Sequence, residues 1–568
     1  MQVNELYRLW CEKAMEDPAL TEELASVKGN EKEIEDRFYQ ALEFGTGGLR
    51  GIIGAGTNRM NIYTVRHASI GIAAYLKKET AAPSIVIAYD ARINSEKFAK
   101  EAARTYAAHG VKTYLFPVLM PTPVLSFAVR TLGCDAGVVI TASHNPAEYN
   151  GYKAYGSDGC QITNLAADTI LAEIRRVEMF DDTEKTPFTE LLAAKMIEYV
   201  DDSLLQDFLT EVQKQSVYPN MGGTSGLKFV YSPLNGTGNI PVRAILERNG
   251  YSPIIVPEQE LPDGNFPTCR YPNPEEKDAL TLALKLASEQ NADLLIATDP
   301  DCDRLGAAVK KEDDTFQILS GNEVGFLLLN YLLEAKGQSL PKDGLSVKTV
   351  VTSDIVFAIA KKYGIGVIEV LTGFKYIGEV IGTLEKKGET HRYVFGFEES
   401  CGYLAGTHAR DKDAVVASML FIEMAAYYKS KGASVLDILE ALYKEFGYYT
   451  TRLVSITLKG KEGAEKIAAI MQAFRANPPK EIGGAAITCM ADYQGEVDLP
   501  KSVNKQNGIT LPSSNVLVFE TDELVKVIVR PSGTEPKIKI YYSATAPSAE
   551  AGNKKIDAAA LEFEKHFK

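Results

Sequence analysis

Positive charge is what this chain is short of. Its 61 lysines and arginines stand against 75 aspartates and glutamates, a formal net charge of −14, with a sequence pI near 5.2. No broad electrostatic attraction therefore draws it to nucleic acid or an anionic membrane, and any anionic ligand must be gripped by a local basic cluster. Cysteine is sparse too. The seven (Cys11, Cys134, Cys160, Cys269, Cys302, Cys401 and Cys489) form no CxxC pair and are odd in number, which reads as reduced thiols rather than a disulfide frame or zinc site. Long apolar runs are missing: "VGFLLLNYLL" (Val324 to Leu333) falls short of the roughly 18 residues that span a bilayer. The N-terminus is acidic and helix-like, with no charged stretch leading into an apolar one. These absences predict a cytoplasmic protein without nucleic-acid or membrane partners.

Several standard loops are missing as well. No GxxxxGK[ST] is present, no GxSxG surrounds Ser143, and in "FGTGGLRGIIGAG" (Phe44 to Gly56) the third position of a would-be GxGxxG is Arg50. That stretch suits close approach of the backbone and Arg50 to an anion, or a surface turn.

What is present is ordinary globular material: 45% hydrophobic and 24% charged residues over 568 positions, enough for about three to four domains. Short β-branched runs alternate with longer amphipathic segments, as in "SIVIAYD", "INSEKFAKEAARTYAAHG" and "VKTYLFPVL". This rhythm predicts successive α/β domains with parallel or mixed sheets. Composition places the domains at 1–210, 211–320, 321–450 and 451–568, the last opening on a strand and helix in "LVSITLKGKEGAEKIAAIMQAF".

Four times a strand-like run ends in a chemically loaded loop: "AGVVI" into "TASHNP", "ADLLIA" into "TDPDCDR", "YVFG" into "FEESCG", and "LVKVIV" into "RPSGTEPK". Ligands of α/β sheets bind beyond the carboxyl ends of strands, so the four loops can serve one cleft. Asp299, Asp301 and Asp303 follow a strand, where extended backbone would turn alternate side chains to one side. Three adjacent carboxylates suit a hard divalent cation such as Mg²⁺; a solvated acidic turn is the plainer alternative. An EF-hand is excluded, because its glycine and closing-glutamate positions hold Arg304 and Lys310. Arg530, Ser532, Gly533, Thr534 and Lys537 combine the donors that hold a phosphate dianion, although Pro-Ser-Gly-Thr is also a common turn. Glu398 and Ser400 can hydrogen-bond vicinal sugar hydroxyls, or simply be solvated.

Ser143 and His144 are neighbours, and on extended backbone their side chains would point apart. A serine oxygen close to a cation and a phosphate clamp can nevertheless carry a phosphoryl group. Lys153 can then act as general acid or base if desolvation lowers its pKa.

"TASHNPAEYNGYK", "TDPDCDR", "GFEES" and "RPSGTEPK" resemble, in order and spacing, the four signature loops of the α-D-phosphohexomutases. "FGTGGLRGIIGAGTNRMN" looks like the branch holding bacterial phosphoglucomutases and related phosphopentomutases. The resemblance implies four domains around a central cleft, three of one α/β type and a smaller α+β last one. It implies that Ser143 is the phosphoserine, that Asp299, Asp301 and Asp303 bind Mg²⁺ with a phosphoserine oxygen, and that Glu398 and Ser400 contact the sugar. Arg530, Ser532, Gly533, Thr534 and Lys537 would hold the non-reacting phosphate. Arg50, His144, Lys153 and Arg304 would flank the reacting one, and Thr372 and Gly373 would help distinguish substrate orientations. The implied reaction interconverts glucose 1-phosphate and glucose 6-phosphate through glucose 1,6-bisphosphate, with mannose or pentose phosphates as alternative substrates. Some relatives carry a histidine where this chain has Gly402; Lys412 is the candidate replacement acid-base group, or else a surface lysine. A more distant reading makes Asp299 the nucleophile of an aspartyl phosphatase, but Cys302 stands where that pattern wants threonine or valine.

Overall fold

The computed structural model describes residues 2–42, 44–45, 47–180, 184–458, 460–532 and 537–567. They form two compact units: Met1–Ser320 with Cys401–Ala426, and Gly321–Ser400 with Tyr427–Lys568.

The first unit holds two mixed sheets. One contains β1 (Gly48–Ile52), β2 (Ser84–Tyr89), β3 (Lys112–Leu115), β4 (Ala136–Ile140), β5 (Tyr149–Gly156) and β6 (Ile197–Tyr199), in the order β1-β5-β4-β2-β3-β6. Its β4-β2-β3-β6 portion is parallel, and β5 turns back antiparallel to β4, with β1 antiparallel to β5. The other contains β7 (Phe229–Ser232), β8 (Ile254–Ile255), β9 (Leu294–Thr298), β10 (Leu305–Lys310) and β11 (Phe316–Leu319), in the order β11-β10-β9-β7-β8. Here too a parallel centre ends in an antiparallel hairpin, β10 lying against β9. Every residue of β4 and β9 is buried, which is why both read as unbroken apolar runs in the sequence. Each delivers a polar loop from its carboxyl end and returns as the next antiparallel strand.

In the second unit β12 (Leu345–Thr349) pairs in parallel with β13 (Gly366–Val370) and β14 (Tyr393–Glu398); β15 (Gly402–Ala405) falls in the first unit. The C-terminal sheet comprises β16 (Tyr448–Thr457), β17 (Glu481–Ile482), β18 (Ala485–Asp492), β19 (Leu517–Thr521), β20 (Val525–Pro531) and β21 (Lys537–Ala546). It is antiparallel throughout, in the order β16-β21-β20-β19-β18-β17, and carries helix Ala549–Phe563 on its core. Three α/β layers and a smaller α+β one match the architecture expected from the sequence. Among the described residues no helix is long and apolar enough to cross a membrane.

The acidic N-terminus forms three helices, Val3–Lys13, Pro18–Ser26 and Glu31–Phe38, the second and third N-capped by Asp17 and Asn30. They are fastened to the first sheet's helices by Trp10, 1% exposed, whose ring meets Phe38, Tyr63 and Phe180 edge-on with centroids 5.4–5.8 Å away. Trp10→Ala is expected to cost about 3–5 kcal/mol, the usual penalty for emptying a buried aromatic site. Urea unfolding followed by circular dichroism measures it, and a loss near zero would mean that these helices are not packed as described.

Candidate active site

Beyond Ile140 the backbone cannot remain extended. Ser143 takes a left-handed conformation (φ 50°), steadied by its N–H donating to Thr141 Oγ1 at 2.8 Å. This overturns the expectation that Ser143 and His144 point apart: the positive φ swings the serine side chain round, and its Oγ lies 3.1 Å from His144 Nδ1. The hydroxyl donates to Asp299 Oδ2 at 2.7 Å. With its single proton so directed, the His144 contact requires Nδ1–H as donor. Burial, and then the surrounding Arg304, Arg50, Arg92 and Lys153, keep the imidazole pKa well below its ordinary value, so the ring is neutral.

The aspartate trio also departs from the extended geometry expected of it. Residues 299–303 form a turn with Cys302 left-handed (φ 52°). Asp299 Oδ1 accepts the backbone N–H groups of Asp303 (3.1 Å) and Arg304 (3.0 Å), and so folds the loop around its own side chain. All three aspartates are essentially inaccessible, and one carboxylate oxygen from each lies within 4.8 Å of the others. Burial, and then repulsion from Asp301 and Asp303, push the Asp299 pKa far up. Burial acts in the same direction on Asp301, but the Lys153 ammonium outweighs it and holds that carboxyl below its usual range. Asp301 Oδ1 and Asp303 Oδ1 are buried with no hydrogen-bond partner among the described residues, and buried anionic oxygens of this kind call for a ligand. An all-oxygen donor set with orphaned carboxylate atoms fits a hard divalent ion.

Lys153, on β5, places Nζ 2.6 Å from Asp301 Oδ2 and 3.2 Å from Asp303 Oδ2. Desolvation alone would lower its pKa, as the sequence reading supposed, but those two carboxylates raise it. Lys153 is an ammonium here. Lys412 is no surface lysine: its side chain is 13% exposed, with Nζ 3.0 Å from Asp411 Oδ1 and 3.3 Å from Asp303 Oδ2. A Cβ at Gly402 would stand 2.1 Å from Lys412 Cδ. A histidine at 402 and this lysine conformation therefore exclude each other. Arg304 pairs with Glu275 at 3.3 Å, and Arg50 donates to Asn145 Oδ1 at 3.2 Å from a strand paired to β5.

The other candidates belong to the second unit. Glu398, the last residue of β14, accepts the Gly373 N–H at 2.9 Å. Gly373 caps helix Phe374–Lys386 at φ 124°, a conformation glycine tolerates. Thr372 is thus next to Glu398's partner, with its Oγ1 buried and without a hydrogen-bond partner among the described residues. Ser400 is partly buried in the turn after β14. The Ser532 N–H donates to the Lys537 carbonyl at 2.7 Å, and the Arg530 guanidinium lies near Tyr541. Gly533 and Thr534 lie outside the described residues.

The sequence reading missed three contributors. Thr122 donates its hydroxyl to Asp301 Oδ2 at 2.8 Å and its N–H to the Asp301 carbonyl at 2.9 Å. Asp411 ties Lys412 to Tyr155, whose hydroxyl it accepts at 2.7 Å. Lys375, 9% exposed, has its pKa lowered by burial and by Arg530 nearby, against the opposing pull of Glu379. Only Asp411, inside "HARDKDA", had a local signal.

Comparison with known proteins identifies the family by sequence and by fold. Sequence models of phosphoglucomutase/phosphomannomutase α/β/α domains I, II and III match residues 41–180, 206–312 and 320–446, and that of the C-terminal domain matches 455–560. Phosphoglucomutase of Staphylococcus aureus (strain USA300) is 38% identical over 533 residues, covering 93% of this chain and 94% of its own. Among solved structures, pp63/parafusin (phosphoglucomutase) from Paramecium, in its open form, shares the fold at 18% identity with a TM-score of 0.68, over 93% of this chain and 95% of its own. A phosphoglucomutase/phosphomannomutase family protein from Burkholderia thailandensis does so at 18% and 0.65, over 92% and 97%. With all four family domains present in order and a relative this similar along nearly its whole length, the chain belongs to the phosphoglucomutase/phosphomannomutase family.

Proposed function

We propose that this protein interconverts glucose 1-phosphate and glucose 6-phosphate, with Ser143 as phosphoryl carrier and glucose 1,6-bisphosphate as the intermediate. The observation that carries the reading is the Ser143 hydroxyl 2.7 Å from Asp299 in a buried three-carboxylate cluster flanked by Lys153 and Lys412. The similar proteins named phosphoglucomutase support the choice of sugar.

Asp299, Asp301 and Asp303 would hold Mg²⁺ together with an oxygen of phosphorylated Ser143, and the ion supplies positive charge to the transferring phosphoryl oxygens. In the first half-reaction the Ser143 Oγ–P bond breaks as a sugar hydroxyl oxygen bonds to phosphorus. In the second, the other phosphate of the bisphosphate returns to Oγ. The ion pairs of Lys153 hold its proton, which suits it to donate to a phosphoryl oxygen rather than to act first as a base. Lys412, in the space left by Gly402, is ion-paired in the same way and is assigned the proton exchange between the two oxygens, giving a proton to the oxygen that phosphorus leaves before taking up that of the attacking hydroxyl. Neutral His144 orients Oγ. Glu398 and Ser400 are assigned the sugar hydroxyls, Thr372 and Gly373 the choice between substrate orientations, and Arg530, Ser532, Gly533, Thr534 and Lys537 the non-reacting phosphate. Arg50 and Arg304 are assigned to the reacting phosphate.

The test is an assay with glucose 1-phosphate, Mg²⁺ and a trace of the 1,6-bisphosphate, with glucose 6-phosphate read by a coupled dehydrogenase. Mannose 1-phosphate and ribose 1-phosphate run in parallel. Glucose 6-phosphate is the expected product, and turnover confined to a mannose or pentose phosphate would move the assignment to that sugar. Free phosphate in place of an isomer would instead favour the aspartyl phosphatase reading.

A further inference from the structure

Arg92 has no part in the chemistry above, yet its side chain is fully buried against the loop that carries Ser143. Nη1 donates to the carbonyls of Pro146 (2.8 Å) and Tyr149 (3.0 Å), and Nη2 to those of Ser143 (2.5 Å) and Asn145. One guanidinium thus gathers carbonyls from both ends of the loop joining β4 to β5. Its own placement is well determined. Asp90 Oδ2 lies 3.5 Å from Nε, while Asp90 Oδ1 accepts the Arg92 N–H at 2.9 Å and the Ser95 hydroxyl at 2.7 Å. The Phe266 ring lies 4.9 Å from the guanidinium carbon. A second tie runs beside it, Asn150 Nδ2 donating to the Ile93 carbonyl (2.9 Å) and to Ser95 Oγ (3.0 Å).

The left-handed turn at Ser143 is a conformation that costs a non-glycine residue about 1–3 kcal/mol and persists where the surroundings over-determine it. Arg92 is that surrounding: its planar fork satisfies inward-facing carbonyls that a regular strand would have paired. We propose that Arg92 is the positioning residue of Ser143, fixing the turn that aims Oγ at Asp299 from beneath the loop. The inference rests on the reading of Ser143 as the phosphoryl carrier.

A lysine keeps the charge opposite Asp90 but concentrates its donors at one point, so it cannot span both pairs of carbonyls. Arg92→Lys is therefore expected to lower kcat about 100-fold, the penalty for displacing a reacting atom by roughly an ångström. KM for glucose 1-phosphate should stay within about threefold, because no substrate contact is lost. Phosphorylation of Ser143 by glucose 1,6-bisphosphate, timed by intact mass, should slow by the same factor. The double variant Asp90→Asn/Arg92→Met removes the buried charges as a pair and serves as the second probe; the same loss is expected.

All assays run well below each variant's melting temperature. A merely structural role predicts a lower melting temperature with kcat and labelling unchanged, and that outcome overturns the inference. So does a rise in KM at unchanged kcat, and so does failure of both variants to yield soluble protein. The parent protein separates this inference from the reading beneath it. A parent that takes up no phosphate on Ser143 overturns both, whereas a labelled parent with an equally fast variant overturns the positioning role alone.

Discussion

Ser143→Ala is expected to lower turnover about 10,000-fold or more while leaving glucose 1-phosphate affinity within about threefold of the parent. The asymmetry follows from what the hydroxyl touches. Its partners are Asp299 Oδ2 and His144 Nδ1, groups of the protein itself, so its removal deletes the atom to which phosphorus would bond and no assigned substrate contact. No neighbour offers a replacement. The His144 nitrogen that faces the Oγ position, Nδ1, carries its proton and so has no lone pair there, and Asp299 Oδ1 is committed to two backbone amides. The cost in stability should be modest, about 1 kcal/mol, for one buried hydrogen bond lost. A coupled assay, calorimetric titration with glucose 1-phosphate and intact-mass analysis after exposure to glucose 1,6-bisphosphate measure the three quantities. A variant that still turned over at a tenth of the parent rate, or still gained a phosphate, would place the carrier elsewhere.

The sequence made the elements and the loop identities legible because each is local. An apolar run such as "AGVVI" becomes a fully buried strand, and the polar residues beyond it become its loop. What remained hidden depends on backbone sign and on distant partners. The Ser143–His144 contact follows from one positive φ, which no residue pattern in "TASHNP" announces. An acid or base role for Lys153 was conditional on desolvation lowering its pKa; the carboxylates that raise it instead are 148 and 150 residues away in sequence. Arg92 looks like any arginine at a strand's end, and its partners, 51 to 57 residues on, are carbonyls that carry no sequence signal at all. In the same way Cys401–Ala426 groups with the first unit, although the strand rhythm around it reads as one continuous domain.

The charge of the trio gives the other large expected effect. Asp301 is engaged through one oxygen only: Oδ2 accepts Lys153 at 2.6 Å and Thr122 at 2.8 Å, while Oδ1 is buried with no hydrogen-bond partner among the described residues. Asp301→Asn keeps the shape and can keep the Thr122 bond, but it removes one of three negative charges from a site whose occupancy depends on them. The Mg²⁺ concentration for half-maximal activity is expected to rise about 100-fold or more, the upper end of what a perturbed metal site loses. A measurement independent of turnover accompanies it. An ion that binds the folded protein raises its melting temperature in proportion to the logarithm of its concentration over Kd, so millimolar Mg²⁺ should stabilise the parent against heat and leave the variant nearly unmoved. A parent with no Mg²⁺-dependent shift, or a variant with the parent's Mg²⁺ midpoint, would show that these three carboxylates do not form the metal site.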